Sequence, residues 1–498
     1  MKIESELNSM RNFKPLIHIF NVADRYFLFD TNAETFLEIS KTCYQIIEEA
    51  RQNIGDRGLL TKESFSELIN SEIEDIIRLS NLNYQDANQI EETITELKML
   101  YEQGLIFSEL QYPVDEKNIG KSGIKALCVH PAHDCNMRCS YCFAEGGSYS
   151  HDISYMDIDT AKQAVEFLVN NSGDRKNLEI DFFGGEPLLN FPVIEKCVAH
   201  AKELANKHGK HFKFTLTTNG LALTDSIIDF LVSNRFAVVM SLDGRKEIHD
   251  NYRTDLAGNS TYEKILPAFK KLLNKMQAHD YCEYYIRGTY TRKNLDFSED
   301  VFHIADLGFS RISLEPVTGE ENSSFSLNEH YLSKLKSEYL KIVENSLTRN
   351  NSSEINFFHF NLDLNNGPCT TKRITGCGAG FDYLAVDPGG NLYPCHQFVD
   401  MEEYSMGHVA ENSLNSDISK KFKTNNLINK NDCYDCWAKF LCGGGCHASA
   451  LKANNSIEMP NQLDCQLKKI QFEYALYKKA REQEVDKEGV VHHGYGSV

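Results

Sequence analysis

The sequence predicts an α/β protein built on a partial parallel barrel, with a small domain before the barrel and a cysteine-rich region after it. Apolar, strand-like runs alternate with helical segments over roughly two hundred residues, which is the pattern of consecutive β/α units. Eight of the fifteen cysteines lie after residue 368 in tight local spacings. Such spacing is typical of metal-binding regions.

Composition narrows the possible functions. The 498 residues suggest two to four structural units, and 41% hydrophobic residues are enough for buried cores. Lys and Arg number 52 against 71 Asp and Glu, and the net charge of −19 argues against a nucleic-acid or anionic-membrane partner. No apolar run is long enough to span a bilayer, and Met1 to Glu6 does not begin a signal peptide. We therefore expect a cytoplasmic protein, in which disulfides are rare and metal binding better explains the cysteines.

Residues 1–111 are predicted to form a winged-helix-like domain. Its strand-like runs are residues 16–20, 26–29 and 35–39. Its helical patterns cover residues 40–53, 62–80 and 85–103. Two interpretations remain open: a structural cap, or a module in which an extended peptide adds a strand to an exposed sheet edge. A polar stretch with Pro and Gly at 112–123 is the predicted linker.

Residues 124–320 are predicted to form a partial (β/α)6 barrel. The strand-like runs are residues 126–130, 178–183, 212–217, 236–241, 283–290 and 311–316. The helical segments are near residues 158–171, 192–208, 224–234, 262–277 and 298–307. In parallel barrels the reactive groups lie in the loops that follow the strands. The loop after the first strand is therefore the first place to look for a site.

That loop contains Cys135, Cys139 and Cys142, separated by three residues and then two. Three thiolates can hold three irons of a four-iron cube and leave one iron open to a small molecule. A structural zinc site is the alternative, but it would usually include a fourth Cys or His nearby. The spacing thus favours an iron–sulfur cluster with one open position.

Polar groups also follow the later strands. The second strand ends in Gly184-Gly185-Glu186-Pro187, where glycines permit close backbone approach and a carboxylate can bind an amine. The third ends in Thr217 to Gly220 and the fourth in Ser241 to Gly244, and the fifth carries Arg287. Each of these stretches could, by itself, be ordinary turn capping.

Taken together, the three-cysteine loop and the Gly184–Pro187 turn resemble the radical S-adenosylmethionine (SAM) enzymes over residues 120–320. The resemblance implies a [4Fe–4S] cluster whose open iron binds SAM, and a 5′-deoxyadenosyl radical formed when SAM is cleaved by one electron. By position, Gly184, Gly185 and Glu186 would contact the methionine amine. Ser241 and Arg287 would lie near the ribose and carboxylate, and Tyr141 near the adenine.

Residues 368–470 resemble the SPASM extension of that family, which implies two auxiliary [4Fe–4S] clusters and three clusters in all. The first auxiliary cluster would use Cys377, Cys395 and Cys446. Cys369 is its uncertain fourth ligand, and we favour an open iron that could bind a substrate thiolate. The second would use Cys433, Cys436, Cys442 and Cys465. Two zinc ribbons are the alternative interpretation.

A bridging region covers 321–367, and a helix at 464–483 precedes a tail, 485–498, that is expected to fray.

The three-part layout, with the runs 127–135 and 376–380, resembles the ranthipeptide or six-cysteine-peptide branch of thioether-forming maturases. That resemblance implies a ribosomal precursor peptide as substrate, a flavodoxin- or ferredoxin-type electron donor, and a leader-recognition role for the N-terminal domain. Residues Thr35, Phe36, Leu37, Glu38 and Ile39 are the candidate edge strand for the leader. Three alternatives remain: an anaerobic sulfatase-maturing enzyme, a carbon–carbon crosslinking cyclase, and a non-catalytic zinc or electron-transfer protein.

Overall fold

The computed structural model describes residues 13–55, 59–80, 87–110, 119–149, 152–317, 323–349, 354–364 and 370–487. The N-terminal part opens with an antiparallel sheet in the order β1-β2-β3. Its strands are β1 (Ile17–Val22), β2 (Arg25–Asp30) and β3 (Phe36–Ile39). Ala23 and Asp24 connect the first two with φ of 50° and 60°, as a tight two-residue hairpin requires. Because β2 is central, β3 is an edge strand. Its outer edge pairs with no strand in the described residues.

Four helices pack beside this sheet: α1 (Lys41–Asn53), α2 (Lys62–Asn70), α3 (Ile73–Ser80) and α4 (Ala87–Glu102). The prediction of one helix over 62–80 is wrong, since the chain forms two. Ser71 is extended, with φ −73° and ψ 156°, and its hydroxyl donates to the Glu67 carbonyl at 2.8 Å. This side-chain bond competes with continuation of the helix. Most of the predicted linker lies in 111–118, outside the described residues.

The six predicted barrel strands form one parallel sheet, in the order β12-β11-β9-β8-β7-β4. Its strands are β4 (Ala126–His133), β7 (Asn177–Gly184), β8 (His211–Thr218), β9 (Ala237–Ser241), β11 (Tyr284–Tyr290) and β12 (Arg311–Pro316). Three short strands lie between them in the chain: β5 (Met137–Cys139), β6 (Ser154–Tyr155) and β10 (Arg253–Asp255). The predicted partial (β/α)6 barrel is confirmed.

The predicted barrel helices are present within two residues of their expected ends. They are α5 (Ile158–Asn171), α6 (Phe191–His208), α7 (Asp225–Ser233), α9 (Tyr262–Ala278) and α10 (Phe297–Asp306), with an unpredicted short helix α8 (Lys246–Tyr252). In β7, Leu178, Ile180 and Phe182 are fully buried, whereas Asp181 and Phe183 line a cavity inside the barrel. This alternation along a strand gives the barrel a helix-facing side and a cavity-facing side.

Both edges of the barrel sheet are extended by segments from the second half of the chain. β13 (Asn356–Phe357) pairs with β12, and β14 (Tyr383–Val386) runs parallel to β4. β15 (Leu392–Tyr393) then returns antiparallel to β14. The sequence predicted the region from 368 as a domain of its own, but its first strand belongs to the barrel sheet. Residues 384–386 of this strand are buried, so the joined sheet shields apolar groups from water.

The remaining helices are α11 (Leu332–Thr348), α12 (Thr370–Thr375), α13 (Ser416–Thr424), α14 (Asn431–Tyr434), α15 (Lys439–Cys442), α16 (His447–Asn454) and α17 (Gln462–Lys487). α17 is longer than the predicted 464–483 and includes the start of the segment that was expected to fray. It packs against α11 and β1, which stabilises it. Among the described residues, no helix combines the length and apolar composition that crossing a membrane requires.

Candidate active site

The first cysteine set, Cys135, Cys139 and Cys142, lies in the loop that follows β4. Cys139 is in β5, which pairs with β10 so that Cys139 faces Arg253. The side-chain amide of Asn219 donates to the sulfur of Cys135 at 3.5 Å, and the backbone N–H of Met137 does so at 3.4 Å. The loop is thus held by a short ladder and by hydrogen bonds to its own sulfur.

Burial is the main influence on the pKa of Cys135 and of Cys139. Burial, together with nearby Glu186, Cys139 and Cys142, raises the pKa of Cys135 to about 12. Burial likewise raises the pKa of Cys139 to about 11, although Arg253 acts in the opposite direction. Three adjacent, partly buried thiols ionise readily only when a cation compensates them. This donor set therefore fits an iron–sulfur cluster.

The Gly184–Pro187 turn packs directly on the segment before Cys135. The N–H of Gly185 donates to the Ala132 carbonyl at 3.0 Å, and the N–H of Glu186 donates to the Asp134 carbonyl at 2.8 Å. A Cβ added to Gly184 would lie 2.6 Å from the Ala132 oxygen, and one added to Gly185 would lie 2.1 Å from the Asp134 oxygen. Only glycine permits this approach of the two backbones.

The Glu186 carboxylate lies in the site itself. It is 1% exposed and accepts hydrogen bonds from the Thr218 hydroxyl and the Asn219 backbone, both at 2.8 Å. Burial raises the pKa of Glu186 to about 7, although these hydrogen bonds oppose the rise. Asn219 therefore contacts both Glu186 and Cys135. A buried carboxylate beside the cysteine loop fits the amine of an amino-acid group.

Tyr141 belongs to a buried polar cluster with Asp243 and Arg253. Its hydroxyl donates to Asp243 and accepts from the Arg253 guanidinium at 3.0 Å. Arg253 also lies 3.4 Å from Asp243, and the N–H of Thr289 donates to Asp243 at 3.1 Å. The ring of Tyr141 lines the cavity, as a residue near an adenine would. Sequence reasoning did not assign Arg253, because no local motif marks it, and it named Asp243 only within a strand-end stretch.

The C-terminal cysteines form two groups. The second set is Cys377, Cys395 and Cys446. After burial, the neighbouring thiols of Cys377 and Cys446 raise the pKa of Cys395. The assignment of these thiols to auxiliary clusters stays a prediction, and Cys369, its uncertain fourth ligand, lies outside the described residues. The third set is Cys433, Cys436, Cys442 and Cys465. After burial, the neighbouring thiols of Cys442, Cys436 and Cys465 raise the pKa of Cys433.

Burial raises the pKa of Cys395, and it raises the pKa of Cys433 to about 12. Within the described ranges, no three His, Cys, Asp or Glu side chains lie close enough together to hold a single metal ion.

A single cavity of about 800 Å³ connects the three cysteine sets. Its wall includes all of the first set, Cys377 and Cys446 of the second, and Cys442 and Cys465 of the third. Gly184, Gly185, Glu186, Ser241 and Arg287 also line it, so every residue proposed for SAM binding borders one space. A cavity of this size is large enough for a cofactor and part of a substrate.

Glu315, which was not singled out from the sequence, also lines this cavity. His359 Nε2 lies 3.1 Å from Glu315 Oε1, and the Ser313 hydroxyl donates to the same oxygen at 2.7 Å. Burial would raise the pKa of Glu315, but His359 and Arg287 together hold it well below its usual range. Glu315 therefore places an anionic carboxylate in the cavity wall. It lies on β12, at the other end of the six-strand sheet from β4, the strand that precedes the cysteine loop.

The candidate leader strand lies apart from this cavity, since none of residues 35–39 lines it. Thr35 precedes β3 and its carbonyl accepts the N–H of Asp30 at 2.8 Å. Phe36 packs on Phe27 with ring centroids 5.4 Å apart. Arg25 donates to Glu38 at 2.8 and 2.6 Å and also to Glu484 in α17.

Leu37 and Ile39 pack against the helices of the N-terminal domain. The side chains of β3 are thus used for packing within the protein, while its outer backbone edge pairs with no described strand.

Comparison with known proteins identifies two domains. Residues 129–284 match the Radical SAM superfamily, and residues 377–437 match SPASM, an iron-sulfur cluster-binding domain. The cysteine-type anaerobic sulfatase-maturating enzyme of Clostridium novyi is 26% identical over 354 residues, which is 68% of this chain and 90% of that protein. The radical SAM cyclopropyl synthase TigE of Paramaledivibacter caminithermalis is 23% identical over 422 residues, 78% of this chain and 84% of that protein.

Solved structures show the same fold. Native anSMEcpe with bound AdoMet and Cp18Cys peptide superimposes with a TM-score of 0.58 at 23% identity, covering 72% of this chain and 99% of that one. Streptococcus suis SuiB bound to S-adenosylmethionine gives 0.51 at 15% identity, covering 91% of this chain and 99% of that one.

The fold, the site and the comparisons agree that residues 129–284 form a radical SAM domain. More particularly, the chain joins a radical SAM barrel to a SPASM domain, which implies SAM and [4Fe–4S] clusters as its cofactors.

Proposed function

We propose that this enzyme installs thioether crosslinks, from a cysteine sulfur to a side-chain carbon, in a ribosomally made cysteine-rich precursor peptide. The observation that carries the proposal is the continuous cavity, which is lined by the first cysteine set and by Cys377 and Cys446 of the second. A peptide segment in this cavity could meet the radical-generating site and a thiol-binding site at the same time. Holding both reacting groups in one space removes much of the entropic cost of joining them.

In the radical-generating site, Cys135, Cys139 and Cys142 would hold a [4Fe–4S] cluster. When bound, the cluster and SAM supply a 5′-deoxyadenosyl radical that abstracts hydrogen. Gly184 and Gly185 line the cavity and would lie against the methionine part of SAM, and Glu186 would accept hydrogen bonds from its amine. Ser241 and Arg287 would bind the ribose and carboxylate, and the Tyr141 ring would contact the adenine.

The second and third sets would hold the two auxiliary clusters. Cys377, Cys395 and Cys446 are three thiols, a number that leaves one iron for a substrate thiol unless Cys369 occupies it. Cys433, Cys436, Cys442 and Cys465 would complete a closed cluster that conducts electrons. An external flavodoxin- or ferredoxin-type protein would supply the electrons.

The leader of the precursor peptide would bind to β3. Its open backbone edge supports this assignment, because an extended peptide can pair there without displacing a strand in the described residues. The assignment is tested by amide hydrogen exchange on the full chain. Leader peptide should slow exchange at residues 36–39, whereas β1 should change little. Equal exchange at β3 with and without leader would contradict a leader-binding role for this edge.

The crosslinking reaction is tested with reconstituted protein, precursor peptide, reductant and SAM under anaerobic conditions. Each crosslink removes one S–H and one C–H hydrogen, so the peptide should become lighter by two hydrogen atoms per thioether. Formation of 5′-deoxyadenosine with an unchanged peptide mass would reject the substrate assignment and leave the radical chemistry intact. About twelve irons per chain would fit three four-iron clusters, whereas zinc without iron would support the non-catalytic alternative.

A second candidate is maturation of a sulfatase, and the similarity to the Clostridium novyi enzyme favours it. That similarity leaves about a third of this chain unmatched, and a winged-helix-like N-terminal part is a reason to prefer a leader-bearing substrate. Incubation with a cysteine-containing sulfatase peptide distinguishes the two candidates. Conversion of that peptide, with no change in a cysteine-rich precursor, would favour maturation. A carbon–carbon crosslink would be distinguished by a peptide that loses two hydrogens but keeps all its thiols.

A further inference from the structure

Lys430 is a buried lysine between the second and third cysteine sets. It is 3% exposed, and its ammonium donates to the Gly444 carbonyl at 2.9 Å. Gly444 lies between Cys442, of the third set, and Cys446, of the second. The side chain therefore extends from the residue before α14 to the backbone that joins the two sets.

Within the described part of the chain, no carboxylate balances the charge of Lys430. Among the residues that the structure describes, no Asp or Glu lies within ion-pair distance of its ammonium. Burial lowers the pKa of Lys430, and the groups that raise it are the thiols of Cys433, Cys442, Cys446 and Cys465. A buried cation is costly unless anionic groups compensate it. The surrounding thiolates are the groups that can do so.

Lys439, the other buried lysine of this region, has different surroundings. Its ammonium lies 4.9 Å from the ring centroid of Phe13 and donates to the Tyr434 carbonyl at 3.0 Å. Burial lowers the pKa of Lys439, and the groups that raise it are Cys436, Asp435 and Asp30, in decreasing order of effect. Aromatic rings and carboxylates therefore help to balance the positive charge of Lys439. Among the described residues, the groups that balance the charge of Lys430 are the cysteine thiols.

We propose that Lys430 is a positioning residue whose ammonium is the shared counter-charge of the two auxiliary clusters and favours their reduced states. The inference rests on the proposed function only in requiring that both C-terminal sets hold clusters. Reduction adds one negative charge to a cluster, and a fixed cation in a low-dielectric interior stabilises that added charge. Three of the four neighbouring thiols belong to the third set, so its cluster should respond more strongly than that of the second.

The test compares two substitutions that keep a hydrogen-bond donor but differ in charge, Lys430→Gln and Lys430→Arg. Lys420→Gln, on the exposed face of α13, is the control for loss of a charge in the same domain. Anaerobic redox titration followed by electron paramagnetic resonance measures each cluster. At a fixed potential, Lys430→Gln should lower the reduced-to-oxidised ratio of the third-set cluster at least tenfold, which is 59 mV for a one-electron couple. Lys430→Arg and Lys420→Gln should titrate like the unmodified protein.

Iron content separates the possible outcomes. If the unmodified protein holds only about four irons, the auxiliary clusters of the proposed function are rejected, and with them the inference. Full iron content in Lys430→Gln with an unchanged titration would overturn the role of Lys430 alone. Loss of auxiliary iron in Lys430→Gln but not in Lys430→Arg would support charge compensation. Equal loss in both would show that the lysine acts through packing, and would overturn the inference.

Discussion

His18 lies flat against Trp437, with ring centroids 3.9 Å apart and 2° between the ring planes. His18 is in β1 of the N-terminal sheet, and Trp437 directly follows Cys436 of the third set. His18 Nε2 also lies 3.0 Å from Glu473 Oε1 in α17, the helix that carries Cys465. The N-terminal sheet therefore packs on two of the segments that supply the third cysteine set.

We expect His18→Ala to lower the free energy of unfolding by about 1–3 kcal/mol, because it removes both the ring stack and the contact with Glu473. His18→Phe keeps the stack and should lose less. Thermal unfolding of the reconstituted protein measures both variants. Equal stability of His18→Ala and the unmodified chain would contradict the structural importance of this contact.

The same residue predicts a pH dependence. Burial lowers the pKa of His18, although Glu473 opposes this, so the unfolded chain binds the proton more tightly than the folded chain. The stabilisation is fully present above the unfolded value of about 6.5 and is lost as the pH falls from there toward the folded value. The unfolding temperature should therefore drop more between about pH 7.5 and 5.5 in the unmodified chain than in His18→Phe. Identical slopes would reject His18 as the titrating group.

Glu186→Ala should weaken SAM binding at least tenfold, since a hydrogen bond to a charged group contributes about 1.5–3 kcal/mol. Thr218→Val is the matched control, because it removes one hydrogen bond to Glu186 at 2.8 Å and leaves the carboxylate in place. Its effect should be smaller. Equilibrium dialysis with the cluster-loaded protein gives both affinities. Unchanged affinity in Glu186→Ala would remove this residue from the SAM site.

Replacing Cys135, Cys139 and Cys142 together by Ala should remove about four of about twelve irons and abolish 5′-deoxyadenosine formation. Cys197→Ala is the control, since this thiol is fully buried in α6 and burial raises its pKa to about 12. That variant should keep all its iron. Iron and sulfide analysis decides the point, and full iron content in the triple variant would contradict the assignment of the first set.

Asp243→Asn should destabilise the barrel by about 3–5 kcal/mol, because it leaves the buried Arg253 guanidinium without its anionic partner. Tyr141→Phe keeps the ring and loses only the hydroxyl, so we expect about 1–3 kcal/mol. Thermal unfolding with iron analysis compares the two. A smaller loss in Asp243→Asn than in Tyr141→Phe would show that Asp243 is not the main partner of Arg253.

Local patterns predicted the barrel well. All six strands and the five helices are present near their expected positions, because alternating β/α units carry their own periodicity and turn signals. The patterns were less successful where a side chain competes with the backbone, as Ser71 does in dividing the helix expected over 62–80. The cysteine spacings, in turn, suggested which thiols would share a cluster. The sequence named Asn219 only within the strand-end stretch Thr217 to Gly220, and it did not indicate Arg253 or Glu315, because their partners are distant in the chain.

By itself, the sequence predicted the radical SAM and SPASM domains, since the Cys135–Cys142 spacing, the Gly184–Pro187 turn and the C-terminal cysteines are local patterns with a chemical meaning. Tertiary structure decided that β14 belongs to the barrel sheet and that one cavity joins the three cysteine sets. It also decided that Lys430 lies buried between two of those sets. These relationships depend on contacts between segments far apart in the chain, and such contacts are set by how buried surfaces pack rather than by neighbouring residues.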